Sequence, residues 1–255
     1  MQHKFSRTEI LIGKTALDKL SESTVIIFGI GGVGSYTAEA LARAGVGHLI
    51  LVDYDEICLT NINRQLHALY STIGQAKVEV MRKRILDINP KANVEAVKEF
   101  FSAENAESFL GQNPDYVVDA IDTVSGKVCL AKECLRRGIP LISSMGAGNR
   151  LSAENYRITD ISKTSGDPLA KAVRKLLRKE GITKGIKVVY SPDLPLTPLQ
   201  TEADCRNNCI CPGGDAHCAL KRQIPGSISF VPPVVGLLMA GQVVNDLIAN
   251  CERNA

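Results

Sequence analysis

Apolar side chains alternate between two patterns from residue 24 to residue 145. Short continuous runs, such as Val25-Ile26-Ile27-Phe28, Leu49-Ile50-Leu51-Val52 and Tyr116-Val117-Val118, stop at glycine or at an acidic residue. Runs of that kind suit strands buried on both faces. Between them, over 35–44, 77–88, 103–110 and 123–137, apolar positions follow the spacing of one helix face. Asn89-Pro90 ends the second of these helices, because the residue before a proline is pushed out of the helical region. Shorter strands are expected at 94–97 and 140–144. Alternation of this kind predicts a mostly parallel sheet flanked by helices. Upstream, residues 1–22 read as a helical lead-in, with Gly13 interrupting Ile10, Leu11, Leu17 and Leu20.

The rhythm changes after Gly146. Residues 151–226 are expected to hold a basic helix, a strand at 187–191, a proline-rich segment and a cysteine cluster, with a strand at 227–231 and a last helix closing the fold. The whole of 1–255 then makes one domain, in which 23–150 is the nucleotide-binding core. No charge falls between Arg222 and Asp246, yet Pro225, Pro232 and Pro233 break that stretch. Gln242 and Asn245 would also sit unpaired in lipid. A buried helix resting on the sheet through Val234, Leu237, Leu238, Gly241, Val244, Leu247 and Ile248 fits better than a membrane span.

Composition narrows the class without choosing a chemistry. A hydrophobic share of 45% and a charged share of 22% are ordinary for a globular protein, and a net charge of +3 selects no partner. The first seven residues lack the apolar core of a signal peptide. Eight cysteines in a nucleotide-binding chain point to a reducing compartment, so a cytoplasmic location is expected.

The candidate chemistry begins at Gly29, Gly31, Gly32 and Gly34, a glycine turn between a strand and a helix. Glycines let backbone approach phosphate, and the helix start offers free N–H groups to an anion, as in a Rossmann-like α/β fold. Asp53 ends the next strand, where an acidic side chain usually holds a ribose hydroxyl. To this point NAD and ATP fit equally. Arg64 and Lys77 separate them: a hydride carrier needs no further cations at its phosphates, whereas expulsion of pyrophosphate does. Asp122, just past the strand Val117-Val118-Asp119, is of the right type to hold magnesium at the same sheet edge.

With those residues in view, the chain resembles the ubiquitin-activating-enzyme-like superfamily of ThiF- and MoeB-type adenylating enzymes. The likeness runs over about 5–150 and returns in the last helix. It implies that Gly32 lies under ATP, that Asp53 holds the ribose, and that Asn61 and Asn63, in the segment ending Arg64-Gln65, line the phosphates. It further implies phosphate contacts from Arg64 and Lys77, Mg2+ at Asp122, and a homodimer in which Arg7 reaches the partner's site. The segment from Asp160 to Ala170, followed by Lys171, Arg174, Lys175, Arg178 and Lys179, resembles the tRNA threonylcarbamoyladenosine dehydratase branch. Asp167-Pro168 is a good helix start, and with Lys163 this cationic helix suits RNA phosphates.

Cys205, Cys209, Cys211 and Cys218 form a compact polar cluster that matches no strong metal signature. Zn2+ ligands, a sulfur-relay thiol and free cysteines all remain open readings. Cys58, Cys129, Cys134 and Cys251 read as packing residues. Two rivals accompany the dehydratase reading. One is an adenylyltransferase acting on a ubiquitin-like sulfur carrier, with Cys211 as thiol acceptor and a sulfur-transfer protein as partner. The other is a non-catalytic NADH-binding sensor, in which Asn61 to Gln65 and Lys77 would have no role.

Overall fold

The strand β1 (Thr24–Phe28) lies inside a seven-stranded sheet, between β2 (His48–Val52) and β4 (Tyr116–Asp119). Beyond β2 comes β3 (Asn93–Val97). Beyond β4 come β5 (Leu141–Ser144), β7 (Lys187–Tyr190) and the edge strand β6 (Arg157–Asp160). Every pair is parallel except β6 with β7. Phe28 is in register with Val52 on one side and Asp119 on the other, so three strands end level at one rim. This computed structural model describes residues 2–199 and 225–251.

Helices cover both faces. The lead-in forms α1 (Ser6–Ile12) and α2 (Lys14–Glu22), parted by Gly13 at φ 82°. With α3 (Gly34–Ala44), α4 (Lys77–Ile88) and α8 (Val231–Leu247), they bury one apolar core against Val25 and Ile27. On the other face, α5 (Ala106–Leu110), α6 (Val124–Arg137) and α7 (Pro168–Lys179) pack over Ile26 and Phe28. Phe28 meets Phe101 and Phe109 edge-on, with ring centroids 4.7 and 5.5 Å apart. Among the described residues, none of Cys58, Cys129, Cys134 and Cys251 forms a disulfide; Cys129, Cys134 and Cys251 pack against the apolar cores, while the buried Cys58 Sγ accepts from the Thr60 hydroxyl at 3.5 Å.

Three sequence expectations are corrected. No strand forms at 227–231: residues 227–230 join no ladder, and Val231 opens α8 instead. Pro232 and Pro233 cannot donate to a ladder but are preset for a first helical turn, and the Ser227 carbonyl accepts from Asn63 Nδ2 at 3.0 Å. The buried face of α8 is Val231, Val235, Met239, Ala240 and Val243, while Leu237 is 51% exposed. This helix is apolar nearly all round, so periodicity alone could not choose its face. Burying Val235, Met239 and Val243 contributes roughly 1.5–3 kcal/mol each. Third, the sheet gains β6, which the sequence does not predict. Arg-Ile-Thr-Asp carries little strand signal, and it forms because β7 offers a ladder. Among the described residues no helix is long and apolar enough to cross a membrane.

Candidate active site

The glycine turn is compact because its backbone touches itself. A Cβ on Gly34 would lie 1.8 Å from the Gly29 carbonyl oxygen, and one on Gly29 (φ +87°) would lie 2.7 Å from that of Ala120. The turn is thereby seated on the end of β4. Above it, a Cβ on Gly32 would meet Arg64 Cγ at 3.3 Å and Pro232 at 3.1 Å, so the stem of Arg64 lies across Gly32.

Asp53, one residue past β2, is 8% exposed and accepts from the Ile30 N–H at 2.6 Å and the Asp55 N–H at 2.9 Å. Burial pushes its carboxyl above the ordinary carboxylate range, and the Lys77 ammonium pulls the other way. Lys77 is the first residue of α4 and 5% exposed. Its Nζ lies 2.6 Å from Asp55 Oδ2 and 3.9 Å from Asp53 Oδ1. Its N–H donates to the Asp55 carbonyl at 3.2 Å, which ties the acidic loop to the helix. A cation is therefore in place beside the ribose candidate.

The segment 58–65 supplies the second cation. Asn61 Oδ1 accepts from the Cys58 N–H at 3.0 Å and closes the 3-10 turn Leu59–Asn61. Asn63 Oδ1 and the Thr60 carbonyl accept from Arg64 at 2.8 and 2.9 Å, which orients the guanidinium. Gln65, 6% exposed, sits beside Gly31, and its Oε1 finds no partner within the described residues. His67 is 2% exposed with neither ring nitrogen bonded; burial, aided by Lys77, pushes its pKa down to about 3. It stays neutral and adds no charge here. Sequence reasoning missed His67, although a histidine two residues beyond Gln65 was a visible signal.

Asp122 is exposed, three residues past β4. Burial pushes the Tyr54 phenol up, and the carboxylates of Asp55, Asp122 and Asp53 act in the same direction. The Ile121 amide lies against Gly29, 2.9 Å from where a Cβ would stand, so Asp122 follows one residue past this contact with the glycine turn. The structure brings together Gly29, Gly31, Gly32, Gly34, Asp53, Asn61, Asn63, Arg64, Gln65, Lys77 and Asp122. It does not bring Arg7 there. Arg7 is exposed on α1, two residues past Phe5, which packs at Gly45 beyond the far end of α3. That helix has 11 residues, about 16 Å.

The basic helix begins at the same rim. Asp167 caps α7 by accepting from the Ala170 N–H at 3.0 Å, and it also accepts from the Gly146 N–H at 2.9 Å, just past β5. Lys163, Lys171, Lys175 and Arg178 are exposed. Arg174 is not free to meet a ligand in the same way, because it donates to the carbonyl and hydroxyl of Thr164. Lys187, the first residue of β7, pairs with Asp246. The cluster Cys205, Cys209, Cys211 and Cys218 lies outside the described residues.

A profile of the ThiF family matches residues 5–254. The chain belongs to that family. It is 51% identical over 253 residues to the tRNA threonylcarbamoyladenosine dehydratase of Bacillus subtilis, covering 99% of this chain and 97% of that protein. It is 38% identical to the Escherichia coli protein of the same name, over 99% and 96% of the two chains. The crystal structure of the E. coli enzyme in complex with ATP superimposes with a TM-score of 0.85 at 34% identity, covering 99% of this chain and 96% of that one. Within the ThiF family, then, the likeness to dehydratases extends past the nucleotide core and over the segment bearing α7.

Proposed function

We infer that this protein is an ATP-dependent tRNA threonylcarbamoyladenosine dehydratase. The observation that carries the reading is one rim where a glycine turn, two oriented cations and the paired acids Asp53 and Asp55 meet, with a cationic helix starting beside it. Near full-length likeness to named dehydratases favours it over the sulfur-carrier adenylyltransferase. An NADH sensor would leave Arg64 and Lys77 without a task.

ATP is the nucleotide, bound with its phosphates at the glycine turn and its ribose at Asp53. A threonine carboxylate oxygen of the modified adenosine attacks the α-phosphorus, and the bond to pyrophosphate breaks. Arg64 and Lys77 offset the charge that grows on the leaving phosphates. The carbamoyl group then closes on the activated carbonyl and expels AMP, so one water is lost overall. Ring closure is intramolecular and needs no enzyme nucleophile.

Magnesium fits the rim. Among the described residues no cluster of three or more His, Cys, Asp or Glu side chains would cage a metal alone. However, Mg2+ is usually held by one or two carboxylates together with substrate phosphates. Exposed Asp122, one residue past the Ile121 amide that lies against Gly29, is the hard oxygen donor such an ion takes. Bound there, Mg2+ would add charge neutralisation at the phosphates.

The exposed face of α7 binds the tRNA backbone. A homodimer completes the reading: Arg7 shares an α1 face with Ile10 and Leu11, which are 86% and 72% exposed and suited to burial by a partner copy. A tRNA substrate sets the enzyme in the cytoplasm. Cys211, the thiol invoked for a sulfur-transfer partner, and the three other candidate Zn2+ ligands lie outside the described residues.

The test is incubation with ATP and Mg2+ and either threonylcarbamoylated or unmodified tRNA, followed by mass analysis of the nucleosides. Loss of one water from the modified adenosine alone, with ATP–pyrophosphate exchange stimulated by modified tRNA, is the expected result. Exchange stimulated by a sulfur carrier and not by tRNA would overturn the reading.

A further inference from the structure

One buried charge has no part in the chemistry above. Lys127, in the first turn of α6, is 1% exposed, and Asp119, the last residue of β4, is fully buried. Lys127 Nζ donates to Asp119 Oδ1 at 3.1 Å and to Ser143 Oγ at 3.4 Å, and the Ser143 hydroxyl donates to Asp119 Oδ2. Burying both charges of an ion pair costs about what their attraction returns, so stability alone does not explain a lysine at this position.

What the cluster grips is the turn leading to Asp122. Asp119 Oδ1 also accepts from the Ile121 N–H at 3.2 Å. The Asp119 carbonyl accepts from the Ser144 hydroxyl at 3.3 Å, and the Ala120 N–H donates to the Phe28 carbonyl at 2.8 Å. From the α6 side, a Cβ on Gly126 would meet Ile121 Cδ1 at 2.6 Å, so the helix presses on the same turn. Residues 120–121 are therefore fixed from β1, from β5 and from α6, and they form the surface under Gly29. Asp122 follows directly.

We propose that Lys127, with Asp119 and Ser143, is a positioning unit: it sets the 120–122 turn so that the Asp122 carboxylate faces a metal-bound triphosphate on the glycine turn. Lys127 touches no substrate. Its ammonium fixes the Asp119 carboxylate, that carboxylate fixes the Ile121 amide, and the amide sets the direction in which the chain delivers Asp122. The inference rests on the reading of Asp122 as the magnesium carboxylate.

Calorimetric titration of ATP into the protein, once with saturating Mg2+ and once with chelator, separates the two. The measured quantity is the gain in ATP affinity on adding Mg2+. Asp122→Asn should abolish that gain. Lys127→Met should cut it by about 10-fold, the usual cost of removing an outer-shell partner, and leave chelator-condition affinity within about 2-fold. Ser143→Ala, which keeps the ion pair, should cut it by a smaller factor in the same direction. A purely structural role would lower the melting temperature and leave the Mg2+ gain intact in both variants, which overturns the proposal. If Lys127→Met does not fold, Ser143→Ala decides by the same criterion. Retention of the gain in Asp122→Asn would instead overturn the assignment of Asp122 itself.

Discussion

Two sets of cations serve the proposed reaction, and they are built in opposite ways. At the rim, Lys77 is 5% exposed and already paired with Asp55, while Arg64 is held by Asn63 and Thr60. Along α7, Lys171, Lys175 and Arg178 stand in solvent and form no ion pair within the described residues. The contrast is sharper beside α6, where Lys132, Arg136 and Arg137 are matched by Glu180, Glu133 and Glu107. In the first set, position decides, because a pre-oriented charge in a low-dielectric setting acts at one atom. In the second, the summed field decides, and each charge is replaceable by its neighbour.

The largest effect should come from breaking the first set. Arg64→Ala or Lys77→Met is expected to lower ATP–pyrophosphate exchange by about 100-fold or more, the usual cost of removing one charge-stabilising group. Binding of threonylcarbamoylated tRNA in a filter assay should change less than about 2-fold. Circular dichroism checks the fold, since Lys77→Met removes the ammonium that pairs with Asp55. Near-normal exchange by both variants would show that the rim does not act on phosphates.

Reversing Lys171, Lys175 and Arg178 to glutamate should give an effect of the other kind. tRNA affinity should fall by about 10-fold near physiological salt, and the slope of log affinity against log salt should flatten by about 0.7–0.9 for each phosphate no longer neutralised. Any one reversal should give only part of this. Arg174→Ala sharpens the comparison from within the helix. Its guanidinium is spent on Thr164, so it should lower the melting temperature and leave the salt slope unchanged.

How much of this is legible in the chain differs between the same two regions. The parallel core can be read because its strands are buried on both faces and so appear as unbroken apolar runs. The glycine turn can be read because Gly34 and Gly29 admit no side chain against the backbone. At the rim, the residue types are visible but their partnerships are not. Nothing in the spacing of Lys77 and Asp55 says that they meet, since a loop and a helix start must first be brought together. On α7, sequence counts charges correctly yet does not tell Lys171, which is exposed, from Arg174, which is tied down. The closing helix misleads for a related reason. When apolar residues surround a helix, only the surface it lands on chooses the buried face.

Lys187 offers a third case, a cation that serves neither ATP nor RNA in this scheme. It opens β7, at the opposite end of the sheet from the rim, and its ammonium contacts Asp246 Oδ2 at 2.5 Å. Tyr116, at the start of β4, donates to the same carboxylate at 2.6 Å, and Gln242 reaches its other oxygen at 2.7 Å. Burial alone would raise the Asp246 carboxyl, but these donors outweigh it and hold the group below the ordinary range. A depressed carboxylate stabilises the fold fully above its unfolded value of 3.8 and loses that contribution as pH falls through the lower folded value. Asp246→Asn should therefore melt about 2–4 °C below the parent at neutral pH, equivalent to about 1 kcal/mol. The gap should stay constant down to about pH 4 and close below it, with exchange and tRNA binding untouched throughout. A gap that persisted at still lower pH would mean that packing, not the charge on Asp246, joins α8 to β4 and β7.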